Sequence, residues 1–430
     1  MTEARTTLTF LHTGNPTGLK FFVEHGDSRC LFDFGREHAP GRALFSLGLR
    51  PRLGRELADL VAAGEAPAVE GVYAGEPWDG RTSVFISHMH LDHTALVRHL
   101  APEAPLYYPA EMEPVRAGAD SSGYLPWRRP VGTALADRET VTAGEIKVRL
   151  LAVDHDVPGS TGFLVSTPEA AIAFTGDCRR HGLHPELTAA FAQAVKGADL
   201  LIQEGVSLGY LPPIPAPPLL TEEEVIAELA LAAAETKGLL VANCYGMNRE
   251  RVAGLAAGCA AAGRKLLLEA EMAALAGWPG VLGDLEAVRA DPRGHCLQLG
   301  FDSLPLLLDL QPPAGSVWIQ CGGPPFGSFD PGSTVLEAWC ARFGLELRTV
   351  NSSGHSRPGD IVRTVREVGP RVVLPVHTRA PEALVVVGVR SFLPQAGVTY
   401  RVADILSGAP TGSAPRGTHG RSGRSSPGSR

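Results

Sequence analysis

The sequence lacks an excess of positive charge, long apolar runs and closely paired cysteines. Its 39 basic and 46 acidic residues give a formal net charge of −7, which offers no general attraction for nucleic acid. No apolar run approaches the length of a membrane span, and the first residues do not resemble a signal peptide, so we expect a cytoplasmic protein with no membrane partner. The seven cysteines include no Cys-x-x-Cys pair, which is typical of reduced thiols in a reducing compartment.

The chain has enough length and apolar content for one large or two medium cores. It contains 430 residues, of which 44% are hydrophobic and 20% are charged. Residues 409–430 are different, because they are rich in Gly, Ser and Pro and carry arginines but no acidic residue. This composition predicts a disordered basic tail.

Residues 87–94, SHMHLDHT, bring three histidines and an aspartate together directly after the apolar run 83–86, which is typical of a buried strand. Alternate side chains of an extended chain point to one side, so we expect His88 and His90 to face the same way. Asp92 and His93 begin a predicted helix and can face a second ion. Histidine nitrogens and carboxylate oxygens are suitable zinc ligands. Chance crowding of polar residues in a surface loop is the alternative, but the full spacing favours a dinuclear metal site.

Three further polar residues each follow an apolar, strand-like run. His155 follows the run 147–153, Asp177 follows 171–175, and His377 follows 373–376. A single histidine at a strand end is more often a structural hydrogen-bonding group than a ligand. Because all three residues share this context, we interpret them as ligands on strands that converge on one site.

The H-x-H-x-D-H spacing and the three later residues together resemble the metallo-β-lactamase superfamily. The resemblance implies an α/β fold of the αββα sandwich type and two zinc ions, with manganese as the alternative metal. It implies two ion sites with these ligands: His88, His90 and His155 for the first, Asp92, His93 and His377 for the second, and Asp177 as the bridge. A hydroxide shared by two such ions acts as the nucleophile, and the ions hold the entering and leaving oxygens of a phosphoryl displacement.

The long interval between Asp177 and His377 predicts a large insertion. After a proline-rich connection at 211–220, helical and strand-like runs alternate, which is typical of a parallel sheet with its own core. With Glu204, His355 and His377, the interval resembles the β-CASP nucleases, which include ribonuclease J and the endonuclease subunit of messenger RNA 3′-end processing. The resemblance implies a metallo-β-lactamase αββα sandwich in 1–210 and 351–408, with an inserted β-CASP α/β domain in 211–350.

By this resemblance the chain is a zinc-dependent ribonuclease that hydrolyses the phosphodiester bonds of single-stranded RNA. Asp92 and Asp177 act in catalysis through the metals. Glu204 orients His355 and raises its pKa, and His355 donates a proton to the leaving oxygen or hydrogen-bonds the scissile phosphate. A histidine at the position of His377 is the pattern of family members that act on RNA rather than DNA. Family members often dimerise, so a homodimer is an open expectation.

Several residues beside the motifs are weaker candidates. Asp33 matches a family aspartate that supports ligand histidines through hydrogen bonds, although an ordinary turn residue at a strand end fits nearly as well. Others lie beside motif residues and can contact phosphates: Ser160, Arg179, Arg180, Arg357 and Arg379.

Residues 318–333, WIQCGGPPFGSFDPGS, depart from the ribonuclease J pattern. In ribonuclease J proteins the comparable region is a Gly-Ser-rich stretch that receives a 5′-terminal phosphate, so the departure weakens the expectation of a 5′-to-3′ exonuclease. Two other functions stay open. A hydrolase of a small thioester, lactone or phosphoester suits the acidic composition, and a non-enzymatic scaffold would contain no metal.

Overall fold

The computed structural model of the protein describes residues 5–14, 17–39, 41–46, 48–124, 127, 132–209 and 220–408. The predicted tail, 409–430, and residues 211–219 of the proline-rich connection lie outside the described residues. Within the described ranges, the strands form two sheets of seven strands and one sheet of five strands, with helices between and around them. The predicted α/β class is confirmed.

The first sheet contains the strands β1 (Thr7–His12), β2 (Lys20–His25), β3 (Ser28–Phe32), β4 (Thr82–Phe85), β5 (Leu106–Pro109), β6 (Thr133–Leu135) and β19 (Val398–Arg401). Their order is β19-β1-β2-β3-β4-β5-β6. The pairings are antiparallel from β19 to β3 and parallel from β3 to β6. The loops after β3 and β4 therefore emerge at the same edge of the sheet.

The second sheet contains the strands β7 (Thr140–Ala143), β8 (Ile146–Ala152), β9 (Thr161–Ser166), β10 (Ala171–Phe174), β11 (Leu200–Glu204), β17 (Val372–Val376) and β18 (Arg390–Ser391). Their order is β18-β17-β11-β10-β9-β8-β7. The pairings are antiparallel from β7 to β10 and parallel from β10 to β18. Every residue of β11 and β17 is buried, as expected for central parallel strands covered on both faces.

The two sheets pack face to face around a cluster of aromatic rings. Phe32 of the first sheet and Phe163 of the second have ring centroids 5.2 Å apart, edge to face. Helices α1 (Glu56–Ala62) and α3 (Glu113–Ser122) cover the outer face of the first sheet, and α4 (Pro185–Ala194) and α11 (Pro358–Val368) cover that of the second. α11 buries Ile361, Val365 and Val368, which share one face of the helix. The layers therefore follow the order helix, sheet, sheet, helix.

The chain leaves the second sheet after β11 and returns to it at β17, which pairs directly with β11. The intervening third sheet contains β12 (Leu240–Cys244), β13 (Lys265–Leu268), β14 (His295–Gln298), β15 (Val317–Cys321) and β16 (Glu346–Thr349). Their order is β13-β14-β12-β15-β16, and all pairings are parallel. The parallel sheet predicted for this interval is confirmed, although β14 was not predicted.

Helices cover both faces of the third sheet. They are α5 (Glu222–Glu235), α6 (Arg249–Ala261), α7 (Ala270–Ala276), α8 (Leu285–Ala290), α9 (Leu307–Leu310) and α10 (Gly332–Phe343). α7 lies against α3 of the sandwich at Gly118, where an added Cβ would overlap the carbonyl oxygen of Ala274. Met247 and Leu275 join the core beneath α3, so the third sheet is packed onto the sandwich. In the described part of the chain, no helix has both the length and the apolar character needed to cross a bilayer.

Candidate metal centre

The predicted ligands lie at one edge of the sandwich, where strands of both sheets end. β4 leads into residues 87–94, and β8 leads to His155. The neighbouring parallel strands β10, β11 and β17 lead to Asp177, Glu204 and His377. Because parallel neighbours end at the same edge, these side chains meet there, which is where sites commonly form in α/β folds.

The helix predicted to begin at Leu91 is a single turn, α2 (Leu91–Thr94). After this turn, backbone hydrogen bonds to the loop after β3 replace those of a further helical turn. The Leu96 N–H donates to the carbonyl of Phe34 at 3.0 Å, and the Phe34 N–H donates to the carbonyl of His93 at 2.8 Å. Gly35 permits this approach, because a Cβ there would overlap the carbonyl carbon of Asp92. The ligand turn is therefore held from its back by the backbone of a neighbouring strand end.

Seven side chains form two clusters that share Asp177. In each cluster the possible ligand atoms all lie within 4.8 Å of one another. The clusters are His88, His90, His155 and Asp177, and Asp92, His93, Asp177 and His377. His90 and Asp92 are partly exposed and the others are buried. The structure therefore brings together all seven side chains that the family resemblance implied as ligands.

Hydrogen bonds on the outer ring nitrogens orient several of these histidines. Nδ1 of His88 lies 2.9 Å from Oγ of Ser87, and Nδ1 of His155 lies 2.5 Å from the carbonyl oxygen of Gly354. The inner nitrogens then face one another. His88 Nε2 and His155 Nε2 lie 3.1 and 3.2 Å from His90 Nδ1. Partners of this kind fix the tautomer that presents a lone pair to a metal.

The candidate ligand atoms around Asp177 are better placed to bind divalent cations than to hydrogen-bond one another. Both oxygens of Asp177 are buried and have no hydrogen-bond partner among the described residues. Asp177 Oδ2 lies 3.2 Å from His93 Nε2, 3.5 Å from His88 Nε2 and 3.6 Å from His377 Nε2. Buried lone pairs at this spacing are costly unless positive charge lies between them. Imidazole and carboxylate ligands in this number suit zinc, with manganese as a second candidate.

Burial and charge hold His155 and Asp177 in forms that bind metal. Burial lowers the pKa of His155 to about 3, so its ring is neutral at physiological pH. Burial opposes the ionisation of Asp177, but His377, His93 and His355 outweigh that effect and hold the pKa of this carboxyl well below its usual range. Neutral imidazole and ionised carboxylate are the protonation states that ligation requires.

Asp33 connects β3 to both halves of the ligand segment. Its buried carboxylate accepts hydrogen bonds from the N–H and hydroxyl of Ser87, at 2.7 and 2.8 Å, and lies 2.8 Å from Nδ1 of His93. Asp33 also ends its strand in the left-handed region, with φ of 55°. It is thus both a strand-end turn residue and a direct hydrogen-bonding partner of a ligand histidine.

His355 lies over both clusters without belonging to either. Its ring centroid is 5.6 Å from that of His155 and 5.3 Å from that of His377. Nδ1 of His355 lies 3.5 Å from Oε2 of Glu204 and 3.8 Å from Oδ2 of Asp177. Burial disfavours the charged ring, but these carboxylates outweigh burial and raise the pKa of His355 to about 9.

Glu204 is fully buried at the end of β11. Its Oε1 accepts from the Ser356 N–H at 2.9 Å, and its Oε2 accepts from the Val206 N–H at 3.1 Å. These bonds fix the carboxylate and tie it to the backbone of the residue after His355. Glu204 therefore sets both the electrostatic environment and the position of the histidine.

Asp156 is a residue of this centre that the sequence analysis missed. Its Oδ1 lies 3.3 Å from His155 Nε2 and 3.5 Å from His90 Nε2, and this oxygen is buried without a hydrogen-bond partner among the described residues. Its adjacency to His155 was the available signal. An acidic residue in a loop is too common for that signal to have singled it out.

A buried ion triad, also missed from the sequence, holds the loop that carries His355. Glu222 of α5 pairs with Arg251 of α6 at 2.7 Å and with Arg179 at 2.8 Å, and all three side chains are at most 1% exposed. Arg251 and Arg179 also donate to the carbonyls of Ser352 and Ser353, each at 3.3 Å. The triad therefore joins the sandwich to the third sheet at the residues just before Gly354 and His355.

The structure corrects the expectations for Arg179 and Arg180. Arg179 is wholly buried and paired with Glu222, so its assignment to phosphate contact is wrong. Arg180 pairs with Glu367 and donates to Thr364, which commits its guanidinium to α11. The buried hydroxyl of Ser160 donates to the carbonyl of Val157 at 2.9 Å, so this side chain stabilises a turn. Ser160 also lines a cavity beside His155, and its contact with phosphate stays a prediction.

Two arginines stay candidates for substrate contact. Arg379 is exposed, lies two residues after His377, and has its Cζ 5.9 Å from the ring centroid of Phe329. Arg357 is partly buried at the start of α11, two residues after His355.

Comparisons with known proteins identify the central part of the chain. Residues 59–238 match the model of the beta-lactamase superfamily domain. This range contains His88, His90, Asp92, His93, His155, Asp177 and Glu204. It does not reach His355 or His377. No curated protein sequence matches the chain.

A crystal structure of a protein of unknown function from Enterococcus faecalis V583 is similar over nearly the whole length. The identity is 27%, the match covers 92% of this chain and 99% of that chain, and the TM-score is 0.77. The metallo-beta-lactamase fold protein YhfI from Bacillus subtilis matches with 13% identity over 92% of this chain and 98% of that chain, with a TM-score of 0.39. Residues 59–238, most of which lie in the sandwich, thus match a beta-lactamase superfamily domain, and the architecture of sandwich and third sheet recurs in the Enterococcus protein.

Proposed function

Residues 59–238 carry a beta-lactamase superfamily domain, whose members are typically hydrolases, and from this premise we propose that the protein is a metal-dependent ribonuclease. In this proposal it hydrolyses phosphodiester bonds of single-stranded RNA. The observation that carries the proposal is the position of His355, over both ligand clusters and outside each of them.

A histidine at this position suits a substrate whose leaving group needs a proton. Cleavage of an RNA phosphodiester expels a sugar alkoxide, which leaves poorly unless it is protonated, whereas a thiolate leaves without help. The side chain of His355 is 21% exposed, so a bound substrate can reach it. His355 is therefore better explained by a phosphodiester than by a thioester.

Two divalent cations bound by the clusters would supply a water of lowered pKa as the nucleophile and positive charge beside the phosphoryl oxygens. The chain's own groups would orient the reaction. Asp33 and Gly354 hold the rings of His93 and His155, and Glu204 holds His355. A cation on Asp177 would offset the charge that raises the pKa of His355 to about 9, which would make the proton of His355 easier to donate.

We further propose that the third sheet is a β-CASP type of insertion, within residues 211–350, and that the sandwich comprises residues 1–210 and 351–408. Two observations support this assignment. The interval begins after β11 and ends before β17, which are neighbours in one sheet. Glu204, His355 and His377 lie together at the centre. These residues are the basis of the resemblance to the β-CASP nucleases.

A second candidate function is hydrolysis of a small, uncharged or cationic ester. A cavity of about 340 Å³ lies beside His155 and is lined by these carboxylates: Glu111, Asp137, Asp154, Asp156 and Glu250. Arg249 and His184 also line the cavity, but the carboxylates outnumber them, and this acidic balance disfavours a polyphosphate chain. RNA would therefore have to approach the clusters from another side.

The deciding experiment is cleavage of 5′-labelled and 3′-labelled single-stranded RNA by purified protein supplied with zinc or manganese. Wild-type protein should cleave RNA and Asp177→Asn should not. His355→Gln should retain metal but cleave about 10²- to 10⁴-fold more slowly, while His295→Gln, on the third sheet, should match wild type. The two labels distinguish endonuclease from exonuclease cleavage.

Bis(p-nitrophenyl) phosphate provides a second test of the role of His355. Its nitrophenolate leaves without a proton, so His355→Gln should be much less impaired on this substrate than on RNA. Equal impairment on both substrates would contradict proton donation to the leaving group. No cleavage of RNA by metal-replete wild-type protein would refute the ribonuclease proposal and favour the small-ester hydrolase.

A further inference from the structure

We propose that a nucleobase-stacking subsite lies beside the second ligand cluster and receives a base of the bound RNA. It comprises His38, Phe326, Phe329 and Arg379, which we call the aromatic rim. The inference rests on the proposed ribonuclease function, because it assigns the rim to the same substrate. The rim is a binding surface separate from the residues that would hold the metals.

The first observation is the exposure of two phenylalanines in one loop. Phe326 is 48% exposed and Phe329 is 45% exposed, between β15 and α10. Single exposed apolar side chains are common on proteins. Two half-exposed rings three residues apart in one loop form a more specific surface than a single exposed ring.

The second observation is that polar side chains fix this loop from below. Gln320 donates to the carbonyls of Gly323 and Pro325, at 2.5 and 2.9 Å. Asn243 donates to the carbonyl of Pro324 at 2.7 Å, and Ser333 donates to that of Gly327 at 2.5 Å. The backbone that presents the rings is therefore preorganised, and binding would cost little additional ordering of the loop.

The third observation is that the other half of the rim comes from the sandwich, beside the second cluster. The ring centroid of His38 lies 5.2 Å from that of Phe326, edge to face. Cζ of Arg379 lies 5.9 Å from the ring centroid of Phe329, and Arg379 is two residues from His377. The rim therefore bridges the third sheet and the loop that carries a ligand.

This combination matches the chemistry of a single-stranded nucleic acid. Aromatic faces stack on bases without regard to sequence, and an adjacent arginine can pair with the phosphate or stack on the base itself. The cavity beside His155 has more carboxylates than basic residues in its wall, which disfavours a phosphate chain there. The rim, by contrast, contributes an arginine and two exposed rings, which favour one.

The test measures binding of a fluorescent single-stranded oligoribonucleotide to metal-loaded protein by anisotropy, with phosphorothioate linkages to slow cleavage. Phe326→Ala and Phe329→Ala should each raise the Kd about 10-fold, where tenfold corresponds to about 1.4 kcal/mol. Tryptophan at either position should restore binding. The control variants Leu231→Ala and Leu308→Ala remove side chains of similar exposure, 49% and 57%, from the helices α5 and α9 and should bind as wild type does.

Two further binding measurements distinguish stacking on a nucleobase from a general apolar contact. An abasic strand should bind wild-type protein as weakly as the intact strand binds the double-alanine variant. Leucine in place of either phenylalanine keeps apolar area but removes the ring, so it should bind as weakly as alanine. Leucine variants with wild-type affinity, or equal affinity for intact and abasic strands, would overturn the stacking subsite.

Cleavage assays show whether a negative result refutes the rim or the proposed ribonuclease function. The double-alanine variant should contain as much metal as wild-type protein in elemental analysis, because the rim supplies none of the candidate ligands, and hydrolysis of bis(p-nitrophenyl) phosphate by wild-type protein reports the competence of the metal centre. If metal-loaded wild-type protein hydrolyses neither RNA nor this diester, the ribonuclease proposal fails, and the anisotropy result still decides the rim. If wild-type protein cleaves RNA but the double-alanine variant binds and cleaves it equally well, the rim proposal alone is refuted.

Discussion

Glu222→Gln should destabilise the protein far more than a surface substitution on the same helix. The carboxylate of Glu222 accepts from Arg251 Nε at 2.7 Å, from Arg251 Nη2 at 2.8 Å and from Arg179 Nη1 at 2.8 Å, entirely out of contact with water. The glutamine amide offers one oxygen acceptor instead of two. The buried guanidinium groups of Arg251 and Arg179 would therefore lose a hydrogen-bond acceptor and the negative charge of Glu222. Breaking a buried ion pair in this way costs about 3–5 kcal/mol of unfolding free energy.

The matched control is Glu223→Gln. Glu223 is the next residue of α5 and is exposed, so it contributes only its interaction with the helix N-terminus, about 0.3–1 kcal/mol. Both variants are compared with wild type by urea denaturation and tryptophan fluorescence, in which Trp318 reports from the core of the third sheet. A destabilisation by Glu222→Gln no larger than that by Glu223→Gln would refute the assignment of the triad.

The pH dependence of the same variant provides a second test. Burial raises the pKa of Glu222, but Arg251 and Arg179 outweigh it and hold this pKa below its ordinary value. A carboxyl whose pKa is lowered on folding stabilises the protein above its ordinary pKa, and this stabilisation is lost as pH falls. The wild-type advantage over Glu222→Gln should therefore be full at neutral pH and shrink below about pH 4.3, the ordinary glutamate pKa.

Three further predictions concern the metal centre. Removing metal with a chelator should lower the denaturation midpoint, because the opposed lone pairs around Asp177 lose the charge that stabilises them; an unchanged midpoint would contradict cation binding by the folded state. Asp33→Ala should weaken metal affinity about 10- to 100-fold, because His93 loses the hydrogen bond on its Nδ1. Competition with a chromogenic chelator measures this affinity, and a wild-type value would show that Asp33 is only a turn residue. Gly35→Ala should displace α2 and reduce bound metal in elemental analysis, whereas Gly359→Ala, where an added Cβ meets nothing within 4 Å, should bind metal as wild type does. Full metal content in Gly35→Ala would refute the tight contact behind Asp92.

The sequence predicted the parts of the centre whose signal is local. His88, His90, Asp92 and His93 lie within one short segment, and His155 ends a recognisable apolar strand, so spacing and context were sufficient. The alternation of helices and strands after residue 220 likewise predicted the parallel sheet. These features depend on hydrophobic periodicity and on the geometry of strand ends, which a single sequence shows directly.

Features that depend on distant partners could not be predicted in this way. The three glutamates at the start of α5 look alike in the sequence, as a favourable helix start. In the structure Glu224 forms a capping box with Thr221, Glu223 faces solvent, and Glu222 is buried between two arginines. Arg179 was misjudged as a surface residue for the same reason, because its partners lie in other parts of the chain. No local pattern distinguishes a buried charge from an exposed one.

The division of ligands between the clusters has a consequence for biosynthesis. The first cluster takes all its ligands from residues 88–177, whereas the second needs His377, which lies beyond the third sheet in the chain. A polypeptide emerging from the ribosome therefore carries every ligand of the first cation site while most of the third sheet is still unmade. The second site becomes available only when β17 has been synthesised and inserted beside β11. The completeness of the second ligand set is thus tied to the order of synthesis, and a product truncated before β17 would contain the whole first set but lack His377 of the second.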